Sequence, residues 1–196
     1  MNTRLLGILC IVGSAIGVAD GVRRVAIGAT HEGTFLTLDT LMYLGEVFWL
    51  TGMFCGFLGL IALRATGANP IFRLLSWLPV VALAIQVLGA LIGAVSGAQP
   101  AELWPLIAGQ LLYMAGVLVV SILVLAARAW RGWRAFVPLL NVISIPLGAV
   151  VATLIGGLDG GWIITNALAS ALIGYVVLTY LPAPQVRDDY ALAASV

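Results

Sequence analysis

The sequence predicts an all-α, polytopic membrane protein: six transmembrane helices arranged as three antiparallel hairpins. Three observations carry this. Of 196 residues, 62% are hydrophobic and 9% are charged, against about 25% charged in a soluble domain. The apolar residues gather into six long runs. No run alternates apolar with polar, and an open sheet cannot satisfy its backbone in lipid. This composition excludes a soluble enzyme, a disordered chain and a nucleic-acid binder, which would need clustered basic charge.

A spanning helix takes roughly 20 apolar residues. The runs are Leu5–Ala19, Leu41–Leu63, Leu74–Val95, Leu103–Ala127, Ala135–Leu158 and Trp162–Leu181. The first is short and follows Arg4, with small residues Gly17 and Ala19 before Asp20, as a secretory signal would have. It is read as a retained span, extended by Gly21 and Val22. A single domain is expected over residues 1–181, with an outer loop at 21–40 that lies on the membrane or covers the bundle. A cytoplasmic tail follows at 182–196.

Orientation follows the positive-inside rule. With the N-terminus inside, Arg4, Arg64, Arg73, Arg128, Arg131, Arg134 and Arg187 are internal, against Arg23 and Arg24 outside. Trp104 and Trp162 anchor the outer face, and Trp77, Trp130 and Trp133 the inner one. The expected location is a bacterial cytoplasmic (inner) membrane with both termini cytoplasmic.

An internal repeat supports the hairpins. Residues 14–21, 90–97 and 153–160 resemble one another at the ends of spans one, three and five. In spans two and four, Gly45, Glu46, Trp49, Gly52 and Arg64 match Gly109, Gln110, Tyr113, Gly116 and Arg128 at a constant offset of 64. Duplication of a two-span unit produces such a pattern.

Glycine dominates the candidate packing positions. Gly13 and Gly17 begin one small-x-x-x-small row, Gly89, Gly93 and Gly97 form another, and Gly52 and Gly56 a third. Small residues let helix backbones approach where no hydrophobic drive exists. These rows are expected to pack the bundle, or to mate with another subunit or a second copy.

Glu46 is the only charged residue inside the six runs. An intramembrane carboxylate is costly and marks a candidate site. It sits about 8 Å below the outer end of its span, at 1.5 Å per residue, and the runs place no basic residue at that depth. Gln110 and Asn166 lie at similar depths in spans four and six. With hydroxyls from Tyr43 and Tyr113, these three define an expected outward-facing polar pocket. Gln86 lies deeper, in span three. In span five, Pro146 cannot bond the carbonyl of Val142, which predicts a kink with Asn141 or Ser144 satisfying the freed acceptor.

No catalytic motif appears, and no metal or cofactor is expected. There is no Lys for a Schiff base and only His31 for ligation. Cys10 and Cys55 fall inside apolar runs and read as small hydrophobes. The expected function is non-enzymatic: an accessory or assembly subunit of a bacterial membrane complex. The alternative is a small-solute or cation transporter, channel or sensor with its pocket around Glu46. The lipid bilayer is the one expected constant partner, with no nucleic acid.

Overall fold

The computed structural model describes residues 2–28, 40–98, 103–130, 132–155 and 158–180. The expected tail, His31 and most of the expected outer loop lie outside these. The described residues are all helical or turn: α1 (Thr3–Gly28), α2 (Thr40–Ala62), α3 (Pro70–Leu75), α4 (Leu78–Ser96), α5 (Trp104–Ala127), a 3-10 turn (Gly132–Phe136), α6 (Val137–Ile155) and α7 (Leu158–Thr179). Six helices are long and apolar enough to cross a membrane, α3 and α4 counting as one span. This is compatible with an integral membrane protein.

Local chemistry sets the boundaries. Asn69 caps α3 by accepting from the backbone N–H groups of Ile71 and Phe72, at 2.9 and 3.4 Å, and Pro70 opens the helix, where its missing N–H costs nothing. Gly97 ends α4 at φ +67°, and its N–H bonds the carbonyl of Gly93. Gly97 therefore does not pack against a neighbouring helix as expected. A Cβ there would meet nothing within 4 Å, and the position needs glycine for its left-handed backbone.

The first span is longer than its apolar run. α1 continues through the expected loop to Gly28, carrying Asp20, Arg23 and Arg24 as helical residues. Asp20 and Arg24 stand at i,i+4, the spacing of a helical ion pair, and no proline interrupts the segment.

Around the bundle the order is α1, α2, α4, α5, α6, α7 and back to α1. Glycine sets the closest approaches. A Cβ on Gly13 would lie 2.6 Å from Gly52 Cα, and one on Gly52 2.7 Å from Gly13 Cα. Gly7 would strike the backbone of Gly174 and Leu178, and Gly160 the carbonyl of Gly21. α1 is thus clamped to α2 at one crossing and to α7 at two. Gly17 lies against Trp49, Gly56 against Cys10, Gly89 against Leu106 and Gly93 against the ring of Tyr43. Outer faces carry exposed apolar side chains such as Val12, Leu111, Ile122, Leu147 and Leu168, which is compatible with contact to lipid.

The repeat has a structural counterpart. Arg64 and Arg128 are the two non-glycine residues with positive φ among those described, at 52° and 49°, and they are a matched pair. Gly45 and Gly52 oppose Asp20 and Gly13 of the preceding span, while Gly109 and Gly116 oppose Gln86 and Pro79. Packing therefore pairs Asp20 with Gln86, whereas the sequence match pairs Asp20 with Ser96. α2 and α5 repeat in register; α1 and α4 do not.

Candidate functional site

Two polar clusters occupy the bundle. The first joins the end of α1 to the start of α2. Arg24 is 4% exposed. Its Nε donates to Asp20 Oδ2 at 2.8 Å, and its Nη2 reaches the carbonyl of Met42 at 3.4 Å. The same Nη2 lies 3.7 Å from Glu46 Oε2, an ion pair longer than a hydrogen bond. Gly45 makes the approach possible: a Cβ there would sit 3.1 Å from Asp20 Cγ. The expectation that Glu46 has no base at its depth is therefore corrected. Arg24 comes down from the two helical turns that a reading by apolarity assigns to a loop.

Arg24 is the one buried arginine among those described. Arg4, Arg64, Arg73 and Arg128 are exposed and Arg134 is half-buried. These five share the opposite end of the bundle, where Trp130 stacks on Tyr180 and Trp133 on Tyr175. Taking a guanidinium from water costs several kcal/mol unless paired charge and hydrogen bonds offset it, and Asp20 and Glu46 supply both charges.

The second cluster lies at mid-depth. Tyr113 donates to Asn141 Oδ1 at 2.6 Å, Asn141 Nδ2 donates to Ser170 Oγ at 3.0 Å, and Ser170 donates to the carbonyl of Asn166 at 2.8 Å. All four residues are essentially buried. Tyr113, Asn141 and Ser170 each fall within three residues of the middle of their spans, Trp104–Ala127, Gly132–Val151 and Gly160–Thr179. The chain of bonds ties α5, α6 and α7 together, as interhelical hydrogen bonds of a membrane bundle would. Cys10 extends it to α1, its thiol donating to the carbonyl of Ser170 at 3.2 Å.

The expected trio is thus distributed. Glu46 belongs to the charged cluster and Asn166 to the mid-depth one. Gln110 is half-buried on α5, and no hydrogen bond or ion pair joins it to either of the other two. Gln86 is buried beneath Gly109. Tyr43 is fully buried and donates to the carbonyl of Ala98, pinning the start of α2 to the end of α4. Pro146 lies within an unbroken α6. Ser144 donates to the carbonyl of Asn141 at 2.7 Å and the Asn141 amide is used by Ser170, so neither serves Val142. Trp162, expected as an outer anchor, is half-buried and meets Trp49 edge-on at 5.9 Å.

Sequence reasoning missed Asp20 and Arg24 as interior residues. Their i,i+4 spacing was the available signal. Among the described residues, no group of three or more His, Cys, Asp or Glu side chains could hold a metal ion. Compared with known family models, curated proteins and solved structures, the chain matches none.

Proposed function

We propose that the chain is a non-enzymatic integral membrane protein that takes a small solute or a cation at a polar site near one end of its bundle. In this reading six spans form three antiparallel hairpins in a bacterial inner membrane. The five arginines grouped at the far end face the cytoplasm with both termini, so the Asp20–Arg24–Glu46 cluster opens outward.

One observation carries the proposal. Arg24 is buried between two carboxylates, hydrogen-bonded to Asp20 but 3.7 Å from Glu46. Charges inside a membrane protein mark solute and ion pathways. Glu46, half-buried beside Arg24, is the carboxylate that this reading assigns to an incoming ligand. Glycine rows available to a partner were one ground for the accessory-subunit reading, beside the near absence of chemistry. Gly13 and Gly52 are spent on each other, and Gly17 and Gly56 on Trp49 and Cys10, which shifts the weight to the solute reading.

The test is flux of Na⁺, K⁺ and protons into proteoliposomes, comparing wild type with Glu46→Gln. A wild-type flux that falls at least tenfold in the variant, with helix content and elution volume unchanged, supports the proposal. No cation flux in the wild type, or equal flux in the variant, would remove the cation form of it.

A further inference from the structure

Ser14 Oγ, Trp49 Nε1 and Asn166 Nδ2 are buried along one seam between α1, α2 and α7; the two nitrogens have no hydrogen-bond partner, and the hydroxyl has only the Cys10 thiol within reach. Their residues are 1%, 2% and 1% exposed. Packing contacts place them together. A Cβ on Gly17 would lie 2.7 Å from Trp49 Cδ1, the carbon bonded to Nε1, and 3.1 Å from Cβ of Ala167, which follows Asn166. On α1, Ser14 lies one turn from Gly17 on one side and one turn from Cys10 on the other. Cys10 in turn contacts Ser170, one turn from Asn166. Ser14 and Asn166 therefore fall between the same two crossings of α1 with α7, beside the pyrrole edge of Trp49.

The chemistry of this seam is specific. In the chain from Tyr113 through Asn141 to Ser170, each group donates towards α7, and it ends on the carbonyl of Asn166. The Asn166 amide adds N–H donors beyond that end. The indole of Trp49 is a donor with no acceptor capacity, while the Ser14 hydroxyl can both give and receive. Two neutral N–H donors repel a cation. An anion with no countercharge at this depth would carry a large desolvation cost. The species that accepts from two donors and gives to a hydroxyl is water, and buried waters typically make about three such bonds.

We propose that an ordered water is bound in this seam. It accepts from Trp49 Nε1–H and Asn166 Nδ2–H and donates to Ser14 Oγ. Gly17 is required because a side chain there would displace the indole edge that forms one wall. The bound water extends the mid-depth cluster to α2 at Trp49, one helical turn below Glu46. The proposal does not depend on what the outer cluster binds.

The experiment uses the full chain in detergent micelles with ¹⁵N-labelled indole nitrogens, the Trp49 signal being assigned by its loss in Trp49→Phe. The expected result is a nuclear Overhauser cross-peak between Trp49 Hε1 and water, with the sign of a long-resident molecule. It should weaken at least fivefold in Asn166→Leu and persist in Ser14→Ala, and Asn166→Leu should lower Tm by stranding the other donor. Absence of the cross-peak in the wild type would overturn the proposal, and so would its loss in Ser14→Ala, which would mark relay through the hydroxyl. A raised Tm in Asn166→Leu would also overturn it, since that is the outcome for a dry amide replaced by an apolar group. If Asn166→Leu does not fold, the wild-type and Ser14→Ala spectra decide.

Discussion

Replacing Arg24 by Met keeps an unbranched stem out to the position of Nε and removes the charge and all three polar contacts: Asp20 at 2.8 Å, the Met42 carbonyl at 3.4 Å and Glu46 at 3.7 Å. Asp20 and Glu46 then lose this cation, with 7% and 15% of their side-chain surface exposed. Removing one member of a buried charge set costs about 3–5 kcal/mol. Glu46 retains some solvent and its contact is long, so the lower end, about 3 kcal/mol, is expected. That is roughly a hundredfold loss in the folded-to-unfolded ratio, at about 1.4 kcal/mol per decade. The triple variant Asp20→Leu, Arg24→Met, Glu46→Met removes all three charges together and should be less destabilised than Arg24→Met alone. The assay is equilibrium unfolding in mixed micelles, titrating sodium dodecyl sulfate and following tryptophan fluorescence. An Arg24→Met variant within about 0.5 kcal/mol of wild type would show that the guanidinium sits in water and that the cluster is misplaced.

Two further substitutions probe the framework. Gly52→Ala puts a methyl group 2.7 Å from the Cα of Gly13, where only backbone can yield. It should destabilise by about 1–3 kcal/mol in the same titration, and a neutral result would deny the α1–α2 crossing. Arg64→Gly and Arg128→Gly relieve left-handed backbones at φ 52° and 49°, each removing a penalty of about 1 kcal/mol. Both should stabilise or be neutral, by similar amounts, and opposite signs would contradict the equivalence of the two positions.

The six long helices were legible because crossing lipid would impose a crude requirement, enough consecutive apolar residues, and each run falls largely on one of the six candidate spans, though the fifth, Ala135–Leu158, overran the end of α6 at Ile155. The charged cluster was not. Counting apolarity stops a span at its first charge, so Asp20 closed the first run although an Asp20–Arg24 pair is compatible with helix. Depth counting has a second weakness. Glu46, Gln110 and Asn166 each stand six residues into their candidate spans, but depth says nothing of azimuth: Glu46 meets Arg24, Asn166 meets Ser170, and Gln110 joins neither. The glycines show the same division. Gly13 and Gly52 were identifiable by spacing, yet that Gly13 would meet Gly52 rather than another chain follows only from the ring of helices. Gly97 belonged by spacing to the row of Gly89 and Gly93, and its backbone conformation gives it another task. The repeat was legible in α2 and α5, where Arg64 and Arg128 keep both residue and conformation, and misleading in α1 and α4, where matched endings sit at different heights.

The central claim is that α1 runs as helix past its apolar stretch and lies against α7, carrying Arg24 into the bundle. Cysteine cross-linking tests it most directly. A Cβ on Gly21 would lie 2.6 Å from Ile164 Cγ1, which puts the two Cβ positions within about 4 Å, inside disulfide range. In a Cys10→Ser, Cys55→Ser background, Gly21→Cys with Ile164→Cys should oxidise to an intramolecular disulfide. Failure to cross-link in folded protein, with residue 21 instead open to a membrane-impermeant thiol reagent, would contradict it.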